Sequence, residues 1–271
     1  MEKVFLSVLN MSLTASFVIA VIMLARLPLK KAPKIISYAL WAVAGFRLVF
    51  PFTLESVFSL LPFKASPIPQ DISMQAVPRI NSGITVIDNA VSASLPAAVP
   101  YASINPMQVI LAIGSAIWIF GIAVMLIYSF VSIILLKRRL RGAILVEGNL
   151  CKADNLKTPF AIGLFRPRIY IPAGLSDEEC RYIVLHEQTH IRRHDHIVKM
   201  FAYFILCLHW FNPLAWIAFV LMSADMEMSC DERVMKELGG EIKNAYSLSL
   251  VRAAAGRKIL NGSPLAFGRA V

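Results

Sequence analysis

The chain alternates long apolar runs with short basic clusters. Residues 4–25 and 107–136 carry no charge, and residues 35–52 are interrupted only by Arg47. Each run is long enough to cross a bilayer core, so membrane helices are expected at about 4–25, 35–52 and 107–136. Arg47 reads as a side chain that snorkels to the interface or pairs with Glu55, with an intramembrane functional charge as the alternative. Gly114, Ser115 and Gly121 would let a neighbouring helix come close to the third span. A fourth interval, residues 200–224, also lacks Lys, Arg, Asp and Glu, but Asn212-Pro213 interrupts it. Proline breaks a continuous helix. The interval therefore reads as a helical hairpin, about 198–224, that dips into the membrane and returns.

Elsewhere the pattern changes. Residues 62–106 are rich in Pro, Ser, Ala and Asn and lack helical periodicity, so they read as an exposed, partly disordered loop. Three β-like runs at 143–146, 160–162 and 168–171 are separated by Gly, Asn and Pro, which implies a small sheet. An edge strand of that sheet could hold an extended peptide. Next comes a helix start: Ser176 as N-cap, Glu179 three residues on as the other half of a capping box, then Ile183, Val184 and Leu185 as an apolar side.

Composition and charge place these elements. The chain is 57% hydrophobic and 16% charged, below the usual charged fraction of a soluble domain. Its net charge of +10 is concentrated beside the apolar runs, in Arg26, Lys30, Lys31 and Lys34 and again in Lys137, Arg138, Arg139 and Arg141. Such placement marks membrane topology and argues against direct nucleic-acid binding. By the positive-inside rule both clusters are cytoplasmic. The N-terminus and the 62–106 loop are then outside, and residues 137–271 form a cytoplasmic domain of a multi-pass cell-membrane protein in contact with lipids. The basic residues follow the first apolar run, which argues against a cleaved leader. Cys151, Cys180, Cys207 and Cys230 lack paired spacing and read as reduced thiols.

The chemistry concentrates at His186-Glu187-Gln188-Thr189-His190. Histidines four apart share one helix face, close enough to hold one Zn²⁺ per chain. Glu187 can take a proton from a water at the open coordination position, as general base. The third ligand has two candidates. His196 stands at the spacing of a longer motif, but Arg193 replaces the glycine that would turn the chain, and a continuing helix would carry His196 about 9 Å past His190. Glu227 is the better candidate, with Asp231 one turn on to accept the other ring N–H of a ligating histidine. A plain acidic helix face is the alternative, since Asp225 and Glu232 are also here. If residues 200–224 crossed the membrane, Glu227 would lie about 30 Å from His190, which is why a returning hairpin is expected. His209 reads as an interfacial histidine beside Trp210 or, less simply, as a ligand.

Four ordered motifs carry a family resemblance. They are Thr158 to Pro172 (TPFAIGLFRPRIYIP), the His186–Asp195 stretch (HExxHIxRxD), His209-Trp210-Phe211-Asn212-Pro213, and Glu227 with Asp231. Together they resemble the β-lactam sensor-transducer, or antirepressor, family of membrane zinc metallopeptidases. The resemblance implies a mainly α membrane protein with three transmembrane helices and a cytoplasmic α+β gluzincin-like domain. It also implies His186, His190 and Glu227 as metal ligands, Glu187 as base and Asp231 behind them. The activity implied is zinc-dependent endopeptidase action on a cytoplasmic regulator such as a transcriptional repressor, in an antibiotic response. Better-known members continue into a last membrane helix and an extracellular sensor domain. Neither follows in this sequence, so β-lactam recognition has no support from these residues. The tail near Pro264 to Phe267 is short and apolar, and self-cleavage there is a second expectation. A non-proteolytic signalling module, or an inactive fragment with a structural metal, is the rival class. Homo-oligomer formation is left open.

Overall fold

The computed structural model describes residues 1–51, 67–98, 105–154, 156 and 158–238. These form a mainly helical chain with one small sheet. The helices are α1 (Glu2–Ala25), α2 (Lys34–Val49), α3 (Thr85–Ser94), α4 (Pro106–Arg139), α5 (Asp177–Arg192), α6 (Asp195–Leu208) and α7 (Pro213–Leu238). The strands are β1 (Ile144–Glu147), β2 (Leu150–Ala153), β3 (Phe160–Ile162) and β4 (Arg168–Pro172). Contacts divide the chain into two compact units. The first comprises Met1–Leu27, Leu40–Val124 and Ile205–Ala218; the second comprises Pro28–Ala39, Met125–Phe204 and the chain from Phe219.

Among the described residues three helices are long and apolar enough to cross a membrane: α1, α4 extended to Gly142, and α7. This set differs from the three spans expected from the sequence. The helix in the 35–52 run ends at Val49, just ahead of Pro51, and has 16 residues. That is about 24 Å, short of a hydrocarbon core of about 30 Å. In its place α7 qualifies, because its apolar first half runs without a break into its acidic second half.

In the first unit the described part of the proline-rich segment, residues 67–98, includes a helix that its composition did not suggest. It contains α3, and Ile72 is buried against Leu6, Met107 and Leu111. Asn10 on α1 clasps the Ile68 backbone, donating to its carbonyl at 2.8 Å and accepting its amide at 2.9 Å. A few apolar anchors and one side-chain amide suffice where helical periodicity is absent. The small residues of α4 are used as expected: a Cβ on Gly114 would press the Phe5 ring, and one on Gly121 would run into the Trp210 indole.

The turn between α6 and α7 also belongs to this unit. Asn212 caps α7 by accepting the Leu214 amide at 2.9 Å, and Pro213 takes the first helical position, where its missing N–H costs nothing. The Asn212 amide donates to the Ser12 and Ser16 hydroxyls at 2.8 and 2.9 Å. His209 is fully buried, and its Nε2 meets the Leu48 carbonyl at 3.0 Å.

In the second unit the sheet has the order β1-β2-β4-β3, with β2 and β4 parallel and the outer pairs antiparallel. The sequence reading missed β2, a four-residue strand just past the Gly148 turn that sits at the centre of the pairing. Ile169 and Ile171 of β4 pack on Ile183 of α5, so the sheet supports one side of that helix. Tyr182 on another side of α5 packs on Cys230 and Val234 of α7. Helix α5 is thus held between sheet and helix, with a third face left for chemistry.

Candidate metal centre

Helix α5 begins with the expected capping box: the Ser176 hydroxyl accepts the Glu179 amide, and the Glu179 carboxylate accepts the Ser176 amide. This fixes the helix start, and the helical period then puts His186 and His190 one turn apart on the remaining face. Both are buried, and their rings meet edge to face with centroids 4.7 Å apart.

Helix α5 ends at an unusual residue. His194 has φ of 58°, a left-handed conformation in a non-glycine residue. The turn has a consequence for His190. In an uninterrupted helix, residue 195 would point well away from residue 190. The left-handed turn instead brings Asp195, the first residue of α6, back onto His190, with Oδ2 at 2.7 Å from Nδ1. The sequence reading assumed a continuing helix because Gly is absent at 193. The break occurs one residue later, yet His196 still lies away from the centre, its Nε2 3.3 Å from the Leu164 carbonyl.

Glu227 reaches the centre from α7. Helix α6 from Asp195 to Leu208 and α7 from Pro213 to Glu227 are arms of nearly equal length, each about 20 Å at 1.5 Å per residue. A hairpin with equal arms returns its second strand of chain to the level where the first began. The Glu227 Oε2 lies 3.6 Å from His186 Nε2 and 3.5 Å from His190 Nε2. One turn further, Asp231 Oδ1 lies 3.2 Å from His186 Nδ1.

Each imidazole therefore has a carboxylate on Nδ1, which fixes the proton there and leaves a lone pair on Nε2. The two Nε2 atoms are 3.1 Å apart and share Glu227 as a third neighbour. Three electron-rich atoms converge on one point, an arrangement that a shared proton or metal cation would stabilise. Ligands about 2.0–2.1 Å from a tetrahedral Zn²⁺ are about 3.3 Å from each other. The measured sides of 3.1, 3.5 and 3.6 Å bracket that value. Without a metal, protons fill the role. Burial pulls His186 down, but Asp231 and Glu227 outweigh it and push its pKa up to about 10. Burial is likewise outweighed at His190, chiefly by Asp195, and its pKa is raised.

Glu187 faces the same buried region. Its Oε2 is buried and has no hydrogen-bond partner among the described residues. Burial raises its pKa above the ordinary carboxylate range, against the pull of the two histidines. A buried carboxylate oxygen with nothing to bond is suited to receive a proton from a small polar guest. The fourth donor nearby was not assigned from the sequence. Cys230 Sγ lies within 4.8 Å of donor nitrogens of His186 and His190. Its thiol is directed to the His186 carbonyl, at 3.7 Å. Cys151, Cys180 and Cys230 carry free thiols.

The comparisons with known proteins agree with the motifs. The family model described as BlaR1 peptidase M56 matches residues 6–268. The chain is 30% identical over 154 residues to the regulatory protein BlaR1 of Bacillus licheniformis, covering 48% of this chain and 26% of that protein. It is 30% identical over 106 residues to the methicillin resistance mecR1 proteins of Staphylococcus aureus and Staphylococcus epidermidis, covering 38% of this chain and 18% of each. The matched stretch thus spans about a quarter of BlaR1 and under a fifth of mecR1.

Proposed function

The chain belongs to the BlaR1 peptidase M56 family, and from that premise we propose that it is an integral-membrane, zinc-dependent endopeptidase with its site on the cytoplasmic side. His186, His190 and Glu227 would hold one metal ion. A zinc ion held there would supply a Lewis acid that makes water a better nucleophile towards a peptide carbonyl. Glu187 would take that water's proton on Oε2 and deliver it to the leaving amine. Asp195 and Asp231 keep Nδ1 of each histidine protonated and the rings aimed inward. The sheet beside α5 excludes water and offers backbone groups to an extended peptide. The substrate is a cytoplasmic regulator, of which a transcriptional repressor is one case, or the chain's own tail. Residues 264–267 of that tail lie outside the described residues.

The observation that carries this reading is the triangle of His186 Nε2, His190 Nε2 and Glu227 Oε2, with sides near the tetrahedral edge. Metal analysis of the purified chain, paired with a peptide-cleavage assay, tests it. Wild type should hold one zinc and cleave. Glu187→Gln should hold zinc without cleaving, and Glu227→Ala should lose both. Retention of full zinc by Glu227→Ala would remove the ligand assignment. For the topology, an impermeant thiol reagent applied to intact cells should leave cysteines placed at 224–232 unmodified.

Cys230 favours a second reading, a closed four-ligand metal site in a non-proteolytic signalling module. Cys230→Ser separates the two. Loss of zinc would support the closed site, whereas unchanged zinc with unchanged cleavage would remove it.

A further inference from the structure

The two carboxylates behind the histidines lead outward to one place in the fold. Asp195 is met by Arg193 Nε at 3.4 Å and by the hydroxyl of Tyr38 on α2. The Arg193 guanidinium lies over the Tyr38 ring, 5.5 Å from its centroid, and donates to the Ser229 hydroxyl on α7 at 2.7 Å. On the other side Glu232, the neighbour of Asp231, accepts the backbone amide of Lys34 at 2.8 Å. That amide opens α2 and has no partner within its own helix, and a carboxylate there also suits the helix dipole. Lys34 and Tyr38 are one turn apart and so share a face of α2.

Resting on the zinc-peptidase reading above, we infer that Tyr38 is a positioning residue of the metal centre, acting on His190 through Asp195. The first turn of α2 clamps the two helices that carry the orienting carboxylates, α6 through Tyr38 and Asp195, and α7 through Lys34 and Glu232. The start of α2 is accordingly a working part of the peptidase unit, and residues 28–39 cluster with that unit. The tyrosine hydroxyl holds Asp195 in line with Nδ1, while its ring supports Arg193. Tyr38→Phe keeps the ring and removes only the hydroxyl, which separates the two contributions.

The test is zinc affinity of the full chain in detergent, measured by competition with a chromophoric chelator. Wild type, Tyr38→Phe, Asp195→Asn and the double variant are compared. Asp195→Asn should weaken zinc about 10- to 100-fold, as loss of a group behind a ligand does, and Tyr38→Phe, one bond further out, about 3- to 10-fold. The double variant should bind no more weakly than Asp195→Asn, because the hydroxyl acts only through that carboxylate. The visible spectrum of bound Co²⁺ should shift in Tyr38→Phe while its metal-free melting temperature stays at the wild-type value. Wild-type affinity in Tyr38→Phe, or an effect that adds in full on Asp195→Asn, overturns the inference and leaves the zinc reading intact. Failure of wild type to bind zinc overturns both. Asp195→Glu serves as the second background if Asp195→Asn does not fold.

Discussion

Two regions of this protein bury histidine among polar partners, and they use it in opposite ways. At the turn between α6 and α7, His209 Nε2 is committed to the Leu48 carbonyl, and the nearby Asn212 amide is spent on Ser12 and Ser16. No carboxylate takes part in these bonds, and the groups tie backbone segments together. At the candidate metal centre, carboxylates sit on Nδ1 of His186 and His190, so both Nε2 atoms are turned to a common point. The residue type is the same. Which ring nitrogen meets a partner, and whether that partner is a carbonyl or a carboxylate, decides between a structural pin and a ligand.

Substitutions can break this contrast at either end. The largest effect is expected for His190→Ala, which should abolish stoichiometric zinc binding measured by elemental analysis. His209→Ala should leave zinc bound but make the chain about 2–3 kcal/mol less stable, because a buried carbonyl loses its donor. Loss of zinc from both variants would erase the distinction. A pH series sharpens it. In the metal-free chain the His186 pKa is raised to about 10. Its contribution to stability should be full below about 6.5, the value for the unfolded chain. It should fade as pH rises through about 10. Protons and zinc compete for the same Nε2, so zinc affinity should climb with pH, and zinc binding should release protons measurable in weak buffer. The smallest effect concerns the turn that delivers Asp195. His194→Gly should relieve the left-handed strain and stabilise by about 1 kcal/mol in a melting experiment, with zinc affinity unchanged.

Much of the centre is legible in the sequence because it is local. A capping box, a four-residue histidine spacing and a Glu–Asp pair one turn apart all follow from a single helical period. Asp195 was read within a motif but given no task, since five residues along a helix is the wrong side. Only the left-handed His194, without the usual glycine or asparagine signal, brings it back. Tyr38 carries no local mark at all, because its partner is distant in the chain and meets it only through packing. Strand β2 was hidden because Leu-Cys-Lys-Ala holds no β-branched or aromatic residue, and α3 by the prolines around it. The small glycines of α4 were readable as sites of close approach, but not the identity of the indole that fills one.

The equal arms of α6 and α7 make the path from Asp195 to Glu227 a measured one. Deleting a single residue from either arm would rotate the glutamate by about 100° and withdraw it by about 1.5 Å. Length changes in this stretch are therefore tolerable only in compensating pairs or within the four-residue corner.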